Sequence, residues 1–172
     1  MKIYLQTLIG VLILMVSCKQ KEIPKTVTEN KFNETIVVEQ YIENDSLLTL
    51  LKSDLYDIAF NPIFNGEESA KTNTNNKTIP HINKTIIFEQ TIIHFYKEGF
   101  TEEIISAKIK NSQFKFLDSI CIGIKKEKLE NQIATEIKTN LIKIRNFDQT
   151  SIFIFKFEKG TLTEINYQGD MD

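Results

Sequence analysis

The side chains best suited to nucleophilic or metal chemistry are few in this sequence. It holds two histidines, His81 and His94, and two cysteines, Cys18 and Cys121. A zinc site needs three or four converging ligands, and a nucleophilic cysteine needs a nearby histidine or helix start. His94 lies among apolar residues of a predicted strand, whereas His81 follows Pro80 in a polar segment. We therefore expect His94 to be half-buried in a sheet and His81 to be solvated, and we expect no metal site or cofactor.

Carboxylates are plentiful, but their spacing does not indicate a catalytic pair. Glu102 and Glu103 are adjacent and would point to opposite faces of a strand. Asp170 and Asp172 lie at the end of the sequence. A glycosidase pair converging from distant positions stays an open alternative, because convergence cannot be read from one sequence. The chain lacks a glycine-rich phosphate loop, G-x-S-x-G and H-E-x-x-H. We predict no catalytic residue, and the sequence favours a non-enzymatic role over an enzymatic one.

The first stretch of the chain, MKIYLQTLIGVLILMVSC, combines one charge, a short apolar run and a cysteine. Lys2 supplies the charge, and residues 3–16 are too few for a stable membrane-spanning helix. Ser17 and Cys18 close the run. This arrangement resembles the lipobox of bacterial lipoproteins. The resemblance implies a signal peptide over residues 1–17, cleavage after Ser17, and acylation of Cys18 with fatty acids such as palmitate.

Lipidation of Cys18 would fix the location of the protein. One acyl chain binds a membrane reversibly, whereas two or more hold a protein there. The expected location is the cell envelope, at the cell membrane or outer membrane, with the domain facing the periplasm. An uncleaved membrane segment, or a plain signal peptide with an incidental cysteine, are the alternatives. Lipidation would also leave Cys121 unpaired among apolar neighbours, which predicts a buried thiol in the core.

Composition and charge predict a globular domain behind this anchor. The chain has 172 residues, with 21 Lys and Arg against 23 Asp and Glu. That balance argues against a nucleic-acid surface, which needs basic excess. Residues 18–31 are polar and contain Pro24, which predicts a flexible tether. Residues 32–172 are the size of one domain.

The first half of that domain gives mixed patterns. Residues 32–42 are predicted to form a strand. The spacing of Leu47, Leu48, Leu50 and Leu51 predicts a helix capped by Asp45, with a buried strand as the alternative. A mobile polar loop is predicted over 61–83, one strand over 85–96 and an antiparallel return strand over 100–110. The loop prediction follows from its Thr and Asn content and from Pro62 and Pro80.

The second half is more regular. Leu129, Ile133 and Ile137 recur every fourth residue, which predicts an amphipathic helix. Strands are predicted at 114–116, 141–144, 151–157 and 161–167. The 151–157 strand is apolar on both faces and should be central in its sheet. Gly160 permits a tight hairpin turn before the last strand.

Two segments of this half carry a second resemblance. Residues 122–127 (IGIKKE) and 155–165 (FKFEKGTLTEI) resemble a helix start and a closing hairpin found in uncharacterised Gram-negative lipoproteins. More distantly, the arrangement is similar to the outer-membrane assembly lipoprotein BamE and to β-lactamase-inhibitor-like domains. The resemblance implies an α+β fold: an antiparallel, β-rich single domain with one or two amphipathic helices packed on the sheet. Lys125 replaces the usual capping Ser or Thr, so the helix start should be poorly satisfied.

These observations predict a membrane-anchored envelope lipoprotein that acts as a non-enzymatic protein-interaction module, of the inhibitor or immunity type. Its expected partners are the membrane, through Cys18, and another envelope protein. A lipid-anchored hydrolase with a carboxylate-based site and a small-ligand carrier are the alternatives. A hydrolase would need a concave pocket of converging acidic groups, and a carrier an apolar cavity between sheet and helix.

Overall fold

The computed structural model describes residues 38–71 and 81–169, without the side chains of residues 67–71 and 81. Eight strands and two helices form in this part. The strands are β1 Glu39–Glu43, β2 Asn65–Lys71, β3 His81–Phe88, β4 Thr91–Glu98, β5 Thr101–Ile109, β6 Leu141–Arg145, β7 Ile152–Glu158 and β8 Thr161–Gln168, and the helices are α1 Asp45–Ala59 and α2 Lys126–Ile133. No helix in this part is long and apolar enough to cross a bilayer.

All eight strands belong to one mixed sheet. Its order is β1-β6-β7-β8-β5-β4-β3-β2. β1 runs parallel to β6, and each other neighbouring pair is antiparallel. The central strand β7 and its neighbour β8 are joined by the turn at Lys159 and Gly160, whose φ angles of 48° and 72° suit a tight hairpin.

The helices and the segment 114–124 cover one face of this sheet. Leu51, Leu55 and Leu129 of the helices are fully buried there. From the sheet, Phe153 and Phe155 of β7 are equally inaccessible to water, and they belong to the same apolar cluster. Further residues of this cluster, all buried, are Ile142, Ile144, Phe116, Ile120, Ile165, Tyr167, Ile93 and Phe95. The protein is therefore a two-layer α+β structure, which confirms the predicted fold class.

Several predicted elements have the expected type. The leucines after residue 45 form α1, but the predicted cap was wrong: Asp45 is the first helical residue. Asn44 caps the helix instead, because its Oδ1 accepts a hydrogen bond from the Leu47 N–H at 2.9 Å. α2 starts at Lys126, and the preceding Lys125 supplies no side-chain cap, as predicted. It ends earlier than predicted, because Ala134 adopts a left-handed conformation with φ 51°. Ile137 is buried beyond that helix end.

Three predictions of secondary structure were wrong. The predicted strand over 85–96 is a hairpin, with β3 and β4 joined at Glu89 and Gln90. Glu89 takes a φ of 52°, a conformation that a sequence without Gly or Asn does not indicate. The predicted loop 61–83 contains β2 and the start of β3, because a polar edge strand needs only backbone pairing. Residues 72–80 lie outside the described part.

The third error concerns residues 114–116. Phe114 and Phe116 are buried, but they belong to an irregular segment in which Phe116 pairs only with Ile120. A hydrogen bond connects this segment to α1: the Leu117 N–H donates to a carboxylate oxygen of Asp54 at 2.7 Å. It therefore packs beneath the sheet and does not extend it.

Candidate functional site

The opposite face of the sheet, called the open face here, carries three rows of side chains across strands β1, β6, β7, β8, β5 and β4. The first row is Glu39, Leu141, Lys156, Glu164 and Lys110; the second is Tyr41, Lys143, Ile154, Asn166, Lys108 and Ile92; the third is Glu43, Arg145, Ile152, Gln168, Ser106 and His94. All are exposed or half-buried except Glu164. Among the described elements, both helices lie on the other side.

A β-bulge brings Glu164 to the centre of this face. Lys156 pairs with Glu164, whereas the next residue, Phe157, pairs with Leu162, so Thr163 is the extra residue. The bulge lets Leu162 and Ile165, three residues apart, both point into the core. Glu164 consequently points to the open face, beside Asn166.

Glu164 is the hub of a charged network. The Lys156 ammonium donates to Glu164 Oε1 at 2.5 Å, and the Asn166 amide donates to the same oxygen at 2.8 Å. The ammonium groups of Lys110 and Lys108 lie 3.2 and 3.4 Å from Oε2. Three lysines therefore surround the carboxylate of Glu164, whose side chain is only 10% exposed.

The network decides the protonation of this carboxyl group. Burial alone would raise the pKa of Glu164, but hydrogen bonds from Lys156, Asn166 and Lys110 and the charge of Lys156 lower it to about 2. Glu164 is thus ionised at any physiological pH. With so low a pKa it is a very weak base, and it is not protonated and so cannot act as an acid.

A second group of ion pairs orders the β1 side of the open face. Glu39 accepts hydrogen bonds from Lys143 at 2.6 Å and from Tyr41 at 2.7 Å. The hydrogen bond from Lys143, followed by that from Tyr41, lowers the pKa of Glu39. Lys143 and Arg145 also lie over the Tyr41 ring, 5.2 and 4.8 Å from its centroid, while Arg145 donates to Glu43.

A shallow groove runs between β7, β8, β5 and β4. Its volume is about 370 Å³. Lys108 and Lys156 flank Glu164 and Asn166 in it, and half-buried isoleucines and His94 complete the lining; the lining residues are Ile92, His94, Ser106, Ala107, Lys108, Ile154, Lys156, Glu164, Asn166, Tyr167 and Gln168. The groove therefore offers positive charge and apolar surface side by side.

The residues singled out from sequence have mixed outcomes. His94 is half-buried in β4, as predicted, and its Nδ1 lies 2.9 Å from the Thr85 hydroxyl. Cys121 is half-buried at the edge of the core and not fully buried, because it follows Ile120, which occupies the core position. Within residues 38–71 and 81–169, no three His, Cys, Asp or Glu side chains are grouped so that they could hold a metal ion. Ser17 and Cys18 fall outside the described residues.

The remaining candidates are not brought together. Glu102 forms an ion pair with Lys84 at 3.1 Å on the core side, whereas Glu103 is exposed on β5. The His81 side chain, Asp170 and Asp172 lie outside the described side chains.

Sequence reasoning missed Glu164. The available signal was the three-residue spacing of Leu162 and Ile165, which breaks strict strand alternation and indicates a bulge. The lysines that meet Glu164 come from β5 and β7, and their register could not be read from one sequence. Comparisons of the chain with protein families, with curated proteins and with solved structures gave no match.

Proposed function

We propose that this protein is a lipid-anchored envelope lipoprotein whose α+β domain binds another envelope protein through the open face of its sheet. The anchor part rests on the lipobox-like sequence that ends at Ser17 and Cys18. The binding part rests on one observation: the open face displays charged side chains held in fixed positions by cross-strand ion pairs. Ordered charges of both signs give an interface its register and specificity.

The groove supports binding better than hydrolysis. A carboxylate-based hydrolase uses two carboxyl groups on either side of the scissile bond, one of which is protonated at working pH. In the groove a single carboxylate, Glu164, is surrounded by three lysines, with a pKa of about 2. That arrangement holds charges in place and offers no protonated carboxyl group for a leaving group.

The space between sheet and helices supports binding at the surface better than transport of a small ligand. Leu51, Leu55, Phe116, Phe153 and Phe155 fill it, and none is more than 1% exposed. A carrier would need an apolar cavity in that layer. The groove lies instead on the outer side of the sheet, on the open face. The partner is therefore expected to meet the sheet from outside.

The proposal is tested by site-specific photo-crosslinking in intact cells. A photoreactive residue replaces Gln168, which is exposed on the open face, and in a matched strain it replaces Lys128, which is exposed on α2. We expect one reproducible crosslinked protein from position 168 and none from position 128. Equal crosslinking from both positions, or none from the open face, would contradict the binding role.

The anchor is tested in the same cells with a Cys18→Ala variant. Without the thiol no thioether to lipid can form, so we expect loss of labelled palmitate and an unprocessed signal peptide. A variant that is still cleaved after residue 17 and still retained by membranes would refute the lipid anchor. The crosslinking result stands independently of this outcome.

A further inference from the structure

Three lysines of the open face carry more positive charge than Glu164 neutralises. Lys108, Lys110 and Lys156 all lie within 3.4 Å of its carboxylate oxygens. Both oxygens of Glu164 are therefore occupied by donors. Each lysine ammonium group has three N–H donors, so the three lysines retain donors that Glu164 does not use. This lysine cluster has a net positive charge.

The cluster is also accessible and ordered. The side chains of Lys108 and Lys156 are 47% and 46% exposed, while the carboxylate between them is 10% exposed. Glu164 thus holds the ammonium groups from below and leaves their outer sides to water. Because part of the side-chain entropy is already lost, an anion that binds there immobilises less than it would on free lysines.

The neighbouring residues identify the kind of anion. Ile92 and Ile154 are half-buried beside the lysines in the same groove. A uniformly anionic membrane would find no unpaired positive charge at the β1 side of the same face, where Glu39 and Glu43 already neutralise Lys143 and Arg145. A second copy of the domain, placed face to face, would bring two positive clusters together. A protein segment with acidic side chains and intervening apolar ones avoids both conflicts.

We propose that the lysine cluster receives carboxylate side chains of an acidic segment of the partner protein. This inference rests on the binding role proposed for the open face and names the chemistry of its partner. Glutamate or aspartate carboxylates bind Lys108 and Lys156 on either side of Glu164. Apolar side chains of the same segment pack on Ile92 and Ile154. Glu164 is a positioning residue that holds the ammonium groups and does not itself contact the partner.

The test uses the full-length protein in neutral detergent micelles and two short fluorescent peptides. One peptide contains only glutamate and the other only glutamine, and binding is read by anisotropy. We expect the glutamate peptide to bind, more weakly as salt rises, and the glutamine peptide not to bind. Combining Lys108→Gln with Lys156→Gln should weaken glutamate-peptide binding roughly tenfold.

A matched double variant controls for a general loss of charge. Lys128→Gln with Lys159→Gln removes two exposed lysines that lie on α2 and in the β7–β8 turn, away from the open face. We expect its peptide affinity to equal that of the unmodified chain. An equal loss in both double variants, or equal binding of the two peptides, overturns the inference. Circular dichroism confirms that each variant is folded.

Competition distinguishes the other anions. Inorganic phosphate, and micelles containing an anionic phospholipid, are added to the bound glutamate peptide. Displacement by phospholipid at concentrations where glutamate itself does not compete would indicate a membrane-binding face and overturn the inference. Self-association in sedimentation that disappears in the Lys108 and Lys156 variant would indicate a second copy instead. If crosslinking from position 168 persists in that variant at full yield, the binding role stands and this inference fails.

Discussion

At the scale of single residues, Glu164 shows how a largely buried charge can stabilise a surface. A carboxylate that is removed from water loses hydration and tends to become protonated. Here two hydrogen-bond donors reach one oxygen and two ammonium groups reach the other. The result is a pKa of about 2 in place of 4.5. The folded state therefore binds this proton more weakly than the unfolded chain does.

This difference predicts the acid sensitivity of the domain. Above pH 4.5 the Glu164 carboxyl group is ionised in both the folded and the unfolded state, and its contribution to the stability of the fold is complete. As the pH falls from 4.5 towards 2, the unfolded chain takes up the proton first, and this contribution is lost. Because water screens the half-exposed lysines, we expect Glu164→Gln to lower the free energy of unfolding at neutral pH by about 1–2 kcal/mol. It should also flatten the pH dependence over this window.

The measurement is urea unfolding followed by circular dichroism at several pH values, since the chain has no Trp. Glu158→Gln is the control, because Glu158 is exposed at the end of β7. It should leave both the stability and its pH slope unchanged. A Glu164→Gln variant that keeps the acid slope of the unmodified protein would show that other carboxylates are responsible.

At the scale of elements, the two helices start differently. Asn44 supplies a side-chain acceptor to the first turn of α1. Lys125 precedes α2 and supplies none; its ammonium donates instead to the Thr161 hydroxyl at 2.9 Å. The first N–H groups of a helix have no partner within the helix, and a side-chain acceptor satisfies one of them.

The two caps give opposite predictions. Asn44→Ala removes an acceptor and should lower the free energy of unfolding by about 1 kcal/mol, whereas Asn44→Asp keeps the acceptor and should not. Lys125→Asp adds an acceptor and a negative charge at the start of α2, so it should raise stability by about 0.5–1 kcal/mol. Chemical denaturation of the three variants checks both signs. A destabilised Lys125→Asp would mean that the bond to Thr161 outweighs the missing cap.

The same elements show what could be predicted from sequence. Strands β6, β7 and β8 were predicted almost in full, because alternating Ile and Phe residues and Gly160 are local signals. β2 was missed because NGEESAK has no apolar alternation and is held at the sheet edge by pairing with β3. The β3–β4 turn was missed because Glu89 adopts its positive φ without a residue that favours it. Glu164 was missed because its lysines come from other strands, and cross-strand register is a property of the whole fold.

At the scale of the molecule, one sheet connects the apolar core with the open face. Along β7, Phe153 and Phe155 point into the core, while Ile154 and Lys156 between and beside them point outward. Along β8, Ile165 likewise points into the core and Glu164 points outward. The position of every open-face side chain therefore depends on the packing of its neighbours on the other face. Core stability and ligand binding should nevertheless be separable, because a folded sheet keeps its register until it unfolds.

This separation can be tested with two neighbouring leucines of α1. Leu51 is fully buried and Leu50 is 56% exposed. Leu51→Ala leaves a cavity and should lower the free energy of unfolding by about 2–5 kcal/mol, whereas Leu50→Ala should change it by less than about 0.5 kcal/mol. Well below its unfolding midpoint, Leu51→Ala should still bind the glutamate peptide with unchanged affinity, because α1 packs on the core face of the sheet and the lysine cluster lies on the open face. If Leu51→Ala does not fold, the same test uses Ile144→Val, which should lower the free energy of unfolding by about 0.5–1.5 kcal/mol. Parallel losses of stability and affinity in a variant that remains folded would show that the cluster is not held by the sheet alone.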